Sequence, residues 1–415
     1  MADPIVADVA VVGAGPAGIA AAVVAAESGS RVVLLDETES PGGQIWRGGV
    51  KGTAGGSRRW VARLQRSEIE RIHEASVVDI DKGPLLIADR GGVRLEVLAD
   101  RVILTTGARE LFLPFPGWTL PGVVGIGAAQ ALVKGGLSIR NVPTIIAGTG
   151  PLVLPVASSV AAAGASLDIV AEQIAGRELM RFALALWRYP RKWFEAARYR
   201  LRFLGCSYLT GHWVLAARGD DRLREVELTD GRRTWTQRCE LLCSSYGLVP
   251  NLELPILLGC SIEDERVVVD EMQQTSIEGV YCAGEPTGIG GVELALLEGR
   301  IAGLAAAGKT PIPIGLLASR NRLRDFAQLL RTTFALRGEL RDRLTPATTI
   351  CRCEDVSWGQ IDPKWDFRQA KLYTRLGMGS CQSRVCGPAM NHLCDWDSGS
   401  VRPPIKECAL QTLTV

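Results

Sequence analysis

The N-terminal stretch of the chain constrains the fold more than any other. Residues 7–36 read ADVAVVGAGPAGIAAAVVAAESGSRVVLLD. An apolar strand is followed by a glycine-rich loop, an Ala- and Val-rich helix, and a second apolar strand that ends at Asp36. In a dinucleotide-binding unit of this kind, the first glycine permits a tight turn, the second lets the backbone approach a pyrophosphate, and the third lets helix and strand pack closely. The pattern therefore predicts an α/β fold that opens with a Rossmann-like βαβ unit.

The same stretch supplies the first set of candidate binding residues. The loop and the first turn of the helix would hold the pyrophosphate, because backbone N–H groups at a helix N-terminus attract negative charge. Carboxylates that follow the second strand can accept hydrogen bonds from the ribose hydroxyls of an adenosine. The alternative is a glycine-rich turn that binds nothing. The predicted residues are Gly13, Gly15, Pro16, Ala17, Gly18, Asp36 and Glu37.

A second, imperfect copy of the unit follows a strand pattern at 144–147. Its loop contains Gly148, Gly150 and Pro151, and Val153 stands where the third glycine would be. Alignment of the two units through their helix-ending glycines places Ala171 opposite Asp36, with an acid only one residue later. The pattern predicts a second nucleotide-binding fold and leaves open whether it holds NAD, ATP or no ligand.

Composition excludes several classes of function. The net charge is +2, with 47% hydrophobic and 22% charged residues, so the overall charge favours neither nucleic acid nor membrane as a partner. No apolar run is long enough to span a bilayer, and the N-terminus does not read as a signal peptide. We therefore expect a cytoplasmic protein whose thiols are metal ligands rather than disulfides. One basic, aromatic segment, 180–205, could contact a membrane, nucleic acid or another subunit, or could be a solvated amphipathic helix.

Four cysteines near the C-terminus form two closely spaced pairs. Cys351 and Cys353 are one pair, and after 27 intervening residues Cys381 and Cys386 form a second pair. Four thiolates brought together from two short loops suit a metal or iron–sulfur centre. Zinc is the main alternative, although structural zinc sites usually contain C-x2-C pairs. Core thiols without a ligand are the third possibility.

Three further segments complete a resemblance to a known superfamily. They are SPGGQIWRG after the first strand pair, TTGAR at 105–109, and TSIEGVYCAGE at 275–285. Together with the first loop, they resemble flavoproteins of the glutathione- and thioredoxin-reductase superfamily. The resemblance implies a discontinuous FAD domain, 1–115 and 246–308, and a second nucleotide domain, 116–245. It also implies that FAD is bound by Gly43, Gln44, Thr106, Gly107, Gly284 and Glu285.

The cysteine-rich end resembles the small [2Fe–2S] domain of bacterioferritin-associated ferredoxin. The resemblance implies a linker and helical region at 309–345 and a [2Fe–2S] domain at 346–415, ligated by the four cysteines. The expected fold is therefore α/β, with two Rossmann-like three-layer domains of the glutathione-reductase type and a small helical C-terminal [2Fe–2S] domain.

Taken together, the motifs resemble the α subunits of heteromeric amino- and imino-acid dehydrogenases. That group includes D-hydroxyproline dehydrogenase, opine oxidase and hydrogen cyanide synthase. It implies a D-amino-acid-oxidase-like flavoprotein β subunit that oxidises a C–N bond, a small γ subunit in some members, an FMN at the interface in several, and a downstream electron acceptor. The expected function is an electron-transfer subunit with no catalytic residue of its own. The alternatives are a self-contained NAD(P)H-dependent FAD/[2Fe–2S] reductase and a non-redox scaffold.

Overall fold

The computed structural model describes residues 3–46, 55–81, 85–202, 205–397 and 401–414. The strands are β1 Ile5–Val12, β2 Val32–Leu35, β3 Ile69–Ile72, β4 Ser76–Asp81, β5 Leu85–Arg90, β6 Val93–Leu104, β7 Ala108–Glu110, β8 Val123–Gly125, β9 Pro143–Gly148, β10 Ser166–Glu172, β11 Ser207–Thr210, β12 Trp213–Arg218, β13 Glu225–Thr229, β14 Thr234–Arg238, β15 Leu241–Ser245, β16 Leu248–Pro250, β17 Ile262–Glu263, β18 Arg266–Val267, β19 Val280–Cys282, β20 Thr349–Cys351 and β21 Val356–Ser357. The helices are α1 Pro16–Glu27, α2 Gly43–Trp46, α3 Gly55–Arg66, α4 Ile126–Lys134, α5 Val153–Ala162, α6 Gly176–Ala185, α7 Pro190–Leu201, α8 Glu253–Leu257, α9 Gly291–Ala306, α10 Ile314–Thr333, α11 Phe367–Thr374, α12 Cys386–Cys394 and α13 Leu410–Leu413, with 3-10 turns at Leu186–Arg188, Glu285–Thr287, Gly338–Leu340 and Trp358–Gln360.

The chain divides into two compact units. The first contains the described residues of 1–109, 248–328 and 400–415, and the second contains those of 110–247 and 329–399. The segment predicted as a separate [2Fe–2S] domain is therefore shared between the units. The assignment of FAD, nucleotide and iron–sulfur domains to particular boundaries stays a prediction.

The first unit is built on a mixed sheet with the order β3-β2-β1-β6-β5-β4, and β19 also pairs with β6. Strands β1, β2, β3, β6 and β19 pair in parallel, and β4 and β5 add to the sheet in antiparallel fashion. The apolar residues of β1 and β2 are buried on both faces, as parallel strands covered by helices require. The predicted βαβ unit is confirmed.

Two glycines let α9 pack directly on α1. A Cβ at Gly299 would lie 2.1 Å from the carbonyl oxygen of Ala17, and a Cβ at Gly303 would lie 2.5 Å from that of Ala21. A larger residue at either position would force the helices apart. Since α1 begins at the first glycine-rich loop and α9 follows the late segment around residue 284, this packing brings the two ends of the predicted flavin site together.

The second unit repeats the parallel architecture with the order β11-β10-β9-β15-β8, and a separate antiparallel sheet, β12-β13-β14, lies beside it. The β10 strand has a bulge at Asp168, because Leu167 pairs with Thr144 whereas Ile169 pairs with the next residue, Ile145. A bulge adds one residue to one strand and shifts every later residue of that strand by one position. The predicted α/β fold with two Rossmann-like sheets is confirmed.

The cysteine-bearing segment of the second unit is held by a buried arginine. Arg343 is 6% exposed, and its guanidinium donates to the carbonyl oxygens of Leu113, Pro114 and Val214 and to the hydroxyl of Tyr246. A buried cation must be hydrogen-bonded to remain charged, and these acceptors meet that need. Beyond it lie the β20–β21 pair and helices α11 and α12, which confirm a helical C-terminal region.

Candidate cofactor sites

The first glycine-rich loop is tightly built around Gly13 and Gly18. A Cβ at Gly18 would lie 1.8 Å from the carbonyl oxygen of Gly13, so only glycine allows α1 to start this close to β1. Gly13 has a φ of +101°, and a Cβ there would lie 2.4 Å from the carbonyl oxygen of Thr105. The Thr105 hydroxyl lies 2.8 Å from the carbonyl oxygens of Val12 and Gly13, to which it donates. By contrast, nothing lies within 4 Å of a Cβ built on Gly15. The open side of the loop is therefore at Gly15, where a pyrophosphate would approach.

Asp36 ties the end of β2 to this loop. It is 7% exposed, and its carboxylate accepts hydrogen bonds from the backbone N–H of Ala14, the N–H of Thr38 at 2.8 Å, and the Thr38 hydroxyl. The neighbouring Glu37 forms an ion pair with Lys406, a residue of the C-terminal tail that the sequence did not single out. The acid predicted to bind a ribose is thus already held in place by the loop.

Glycines from three separate segments meet at this loop. A Cβ at Gly43 would lie 3.0 Å from the Cα of Gly15, and a Cβ at Gly284 would lie 2.9 Å from the Cβ of Ala17. The segments after β2 and after β19 therefore reach the start of α1, as the resemblance implies. Gln44, on the short helix α2, is exposed.

The TGA segment lies beside the return strand of the first unit. The Thr106 hydroxyl donates to the Asn251 carbonyl at 2.8 Å, the Asn251 side chain donates to the Thr106 carbonyl at 2.7 Å, and the Asn251 N–H donates to the Gly107 carbonyl at 3.0 Å. Arg109 in turn donates to the Asn251 side chain and pairs with Glu253. Thr106 and Gly107 are thus part of a rigid crossing, whereas Thr105 is the threonine that contacts the glycine-rich loop.

Glu285 caps the helix that follows the late segment. Its two carboxylate oxygens accept the N–H groups of Gly290, at 3.2 Å, and Gly291, at 3.0 Å, where α9 begins. Burial raises the pKa of Glu285 to about 7. The helix N-terminus is a natural position for an anion or an electron-rich ring edge, and this longer carboxylate now holds the N–H groups that face it.

A buried acid that sequence reasoning missed supports the same segment from behind. Glu298 is 1% exposed, and it accepts the N–H of Gly284 at 3.0 Å, the hydroxyl of Thr287 at 2.8 Å and the guanidinium of Arg324. Arg324 also donates to Gln273 at 2.9 Å. The only sequence signal for Glu298 is an acid among the small and apolar residues of α9.

The second glycine-rich loop differs in what its backbone contacts. Gly148 has a φ of +148°, and a Cβ there would lie 1.7 Å from the carbonyl oxygen of Ser245. Glu172 is 1% exposed, and its carboxylate accepts the N–H groups of Gly150 and Ile174, each at 3.2 Å. Burial raises the pKa of Glu172 to about 7. The loop N–H that would face a pyrophosphate is therefore bound by a buried acid.

The alignment that placed Ala171 opposite Asp36 is wrong by one residue. In the first unit Val12 pairs with Leu35, so Gly13 and Asp36 come next on their strands; in the second, Gly148 pairs with Glu172 itself. The bulge at Asp168 supplies the extra residue. An acid does stand at the equivalent position, and Pro151 follows Gly150 in the exposed part of the loop.

The four predicted cysteines lie around a single cavity of the second unit. Its volume is about 140 Å³, and it is lined by Phe112, Trp118, Cys351, Arg352, Cys353, Cys381, Val385 and Cys386. Cys351 and Cys386 are buried, Cys381 is half-buried and Cys353 is exposed. A hydrogen bond from the Cys386 thiol lowers the pKa of Cys351 to about 5, and the same contact raises the pKa of Cys386. Cys353 and Cys381 interact as a second pair.

The backbone around the cysteines is closely fitted to them. The N–H groups of Cys353, Glu354 and Gly377 point at the Cys351 sulfur. A Cβ at Gly379 would lie 2.2 Å from the Cβ of Cys353, so glycine alone allows the two loops to meet. Within the part of the chain that the structure describes, no three Cys, His, Asp or Glu side chains converge on one point as a metal-holding group. The thiols instead face the cavity as two pairs.

The fold and these loops match a known family over most of the chain. Residues 7–302 match the pyridine nucleotide-disulphide oxidoreductase family. The chain belongs to this family. It is an oxidoreductase, and its curated relatives include components of heteromeric enzymes. One such component, the A-type chain of the opine oxidase of Rhizobium meliloti, is 33% identical over 97% of this chain and 97% of its own length. The HcnB component of the hydrogen cyanide synthase of Pseudomonas aeruginosa is 33% identical over 91% of this chain and 90% of its own length.

Solved structures agree on the fold. The L-proline dehydrogenase from P. horikoshii superposes with a TM-score of 0.72 and 24% identity, covering 100% of this chain and 80% of its own. A thioredoxin reductase from T. acidophilum superposes with a TM-score of 0.57 and 21% identity, covering 73% of this chain and 98% of its own. No helix among the described residues is long and apolar enough to cross a bilayer.

Proposed function

We propose that the chain is the electron-transfer α subunit of a heteromeric flavin and [2Fe–2S] dehydrogenase. A partner β subunit resembling D-amino-acid oxidases would oxidise a C–N bond of an amino or imino acid, of the D-hydroxyproline or opine type. The observation that carries the proposal is the cavity lined by Cys351, Cys353, Cys381 and Cys386, in a chain whose relatives are components of an opine oxidase and a hydrogen cyanide synthase.

The first unit would hold FAD. The loop is open at Gly15, the start of α1 is free of side chains that would exclude a pyrophosphate, and Asp36 and Glu285 mark the two ends of the site. A bound flavin accepts two electrons and passes them on singly. The chain's part is to orient the cofactor, and Glu298 contributes by fixing the N–H of Gly284 against the start of α1.

The cysteine cavity would hold the cluster. Two pairs of thiols suit a centre with two iron atoms, and hydrogen bonds from backbone N–H groups to a sulfur stabilise its thiolate form and tune the potential of such centres. Arg352 lines the same cavity, whereas Arg375 is paired with Glu354 at 2.6 Å and so offsets that acid instead. All eleven cysteines, which lie in the described part of the chain, are free thiols, and free thiols agree with a reducing cytoplasmic setting.

The remaining members of the complex follow from the resemblance. They are an FMN at the interface with the partner, a small γ subunit in some assemblies, and a downstream acceptor that takes electrons from the cluster. Neither nucleic acid nor a membrane span is part of the proposal.

The second candidate function is a self-contained NAD(P)H-dependent reductase. It is favoured by the position of Glu172, which matches that of Asp36 in the first unit, where an acid can bind a ribose. Against it stand the hydrogen bond from Gly150 to Glu172 and the bulky Val153 at the start of α5. Reduction of the bound flavin by NADH or NADPH separates the two functions.

Replacement of Cys381 by serine tests the cluster directly. Co-purified with its partner, the Cys381→Ser variant should lose bound iron and the visible absorption of the cluster, and transfer to the acceptor should stop. Reduction of the partner's flavin by substrate should survive. The matched control is Cys206→Ser, a change at a buried cysteine outside the cavity. Full iron content and acceptor turnover in Cys381→Ser would contradict the ligand assignment.

A further inference from the structure

One surface of the second unit is not explained by cofactor binding. It consists of α6 (Gly176–Ala185), the turn Leu186–Arg188 and α7 (Pro190–Leu201), which we call the helical patch. Neither helix contains a buried residue, and in the turn only Leu186 is buried. The large apolar side chains stand out from the surface: Met180 is 63% exposed, Leu184 66%, Trp187 76%, Phe194 68% and Leu201 65%.

This degree of exposure is costly for a chain on its own. Most helical stability in proteins comes from burying an apolar face, not from intrinsic propensity. Single exposed apolar residues are ordinary on protein surfaces, but a continuous group on two consecutive helices marks an interaction site. The inner contacts of the patch, such as Phe182 against Phe334 at 5.2 Å between ring centroids, attach it to the unit without covering its outer face.

The charge of the patch indicates what would cover it. Residues 176–202 contain eight Arg or Lys against two Glu, an excess of six positive charges in a chain whose net charge is +2. Both glutamates already face basic neighbours, since Glu178 pairs with Arg181 and Glu195 with Lys192. Two copies of the patch would repel each other, because like charges across an interface oppose association. The complementary surface is therefore acidic at its rim and apolar at its centre.

The kinds of residue favour a protein partner over a lipid surface. Seven of the eight basic residues are arginine, and they alternate with Trp, Phe, Tyr and Met. Protein interfaces are enriched in Arg, aromatic residues and Met and depleted in Lys, and their energetically dominant residues are Trp, Tyr and Arg. Amphipathic helices that lie on membranes use Lys as freely as Arg.

We infer that the helical patch is the docking surface for the partner flavoprotein subunit, which would present an apolar centre ringed by carboxylates. This inference rests on the proposed function, because it places the β subunit of that complex. Leu184, Trp187 and Phe194 form the apolar centre, and the arginines around them meet the partner's carboxylates.

The test compares two exposed-surface variants of the full chain, co-expressed with the β subunit of its own host. The double variant Leu184→Asp/Phe194→Asp should bind the β subunit at least about 30-fold more weakly, the effect of losing one dominant interface residue. The control Ile314→Asp changes a residue that is 84% exposed in the first unit and should leave binding unchanged. Both variants should keep wild-type flavin content and unfolding temperature. A further pair, Arg188→Glu/Arg191→Glu, should slow association and reduce its dependence on salt.

Each alternative occupant gives a distinct result. Equal affinity of wild type and double variant for the β subunit would overturn the docking surface while leaving the proposed function intact. Absence of any complex with the wild-type chain would overturn the proposed function, and the docking surface with it. A wild-type chain that dimerises, or binds vesicles containing anionic lipid, through the patch would contradict the inference in favour of a second copy or a membrane.

Discussion

The two glycine-rich loops share a strand–loop–helix design but differ in how their backbone N–H groups are occupied. In the first loop, α1 begins two residues after Ala14, and the tight contact between Gly13 and Gly18 leaves the loop open at Gly15. In the second, α5 begins only at Val153, and the buried Glu172 holds the N–H of Gly150. A shared loop shape therefore does not fix a ligand, because one carboxylate can take the place that a phosphate would need.

The largest effect should come from closing the tight contact of the first loop. Gly18→Val would drive its side chain into the carbonyl oxygen of Gly13, so we expect loss of bound flavin and destabilisation by about 3 kcal/mol or more. The matched change in the second loop, Val153→Ala, should cost about 1–3 kcal/mol by leaving a cavity but keep the flavin. Visible absorbance after gel filtration and urea unfolding measure both. Flavin lost from Val153→Ala and kept by Gly18→Val would reverse the comparison.

The second effect concerns the buried acid of the second loop. The pKa of Glu172 is raised by burial from 4.5 to about 7, so the folded protein holds this proton more tightly than the unfolded chain does. Stability from this group is therefore greatest at low pH and falls as the pH rises from about 4.5 to about 7, by up to about 3 kcal/mol.

Glu172→Gln should flatten this dependence, and urea unfolding at several pH values checks it. Glu285→Gln is the control in the first unit, where the pKa of the acid is likewise raised to about 7 by burial. This control should leave the pH dependence of unfolding of the second unit as it is in the wild type. An unchanged pH profile in Glu172→Gln would show that this acid does not titrate in the loop.

A smaller effect separates the two open glycines. Gly15 has a φ of −71° and free space around its Cβ position, so Gly15→Ala should leave stability unchanged but weaken FAD binding about 10- to 100-fold, or about 1.4–2.8 kcal/mol, by blocking the pyrophosphate. Gly150 has a φ of +97°, so Gly150→Ala should cost about 1 kcal/mol of stability and leave FAD binding unchanged. Titration of the apoprotein with FAD measures the difference. Equal losses of FAD affinity in both variants would contradict the assignment of FAD to the first loop.

The local pattern of residues was enough to predict the βαβ units and the cysteine pairs. Strand, loop and helix of the first unit follow from apolar runs and glycine spacing, and the four cysteines identified by spacing alone lie at one cavity. Even the helix after Pro190 begins where proline at a first helical turn predicts it.

Contacts between distant segments could not be predicted in this way. The bulge at Asp168 leaves no mark in the composition of β10, yet it moves Glu172 into the position that the sequence alignment gave to Ala171. Thr105 rather than Thr106 reaches the first loop because β1 and β6 pair Val12 with Leu104, a register that sequence alone does not give. Lys406 meets Glu37 across more than three hundred residues of chain.

The central claim is that electrons enter this chain from a partner subunit and not from a nicotinamide nucleotide bound at the second loop. Anaerobic stopped-flow reduction of the bound flavin tests it most directly, with the purified chain alone and with the complex. We predict that NADH and NADPH leave the flavin of the isolated chain oxidised, and that an amino or imino acid substrate reduces the flavin and the iron–sulfur centre of the complex. Rapid reduction of the isolated chain by NADH or NADPH would contradict the claim.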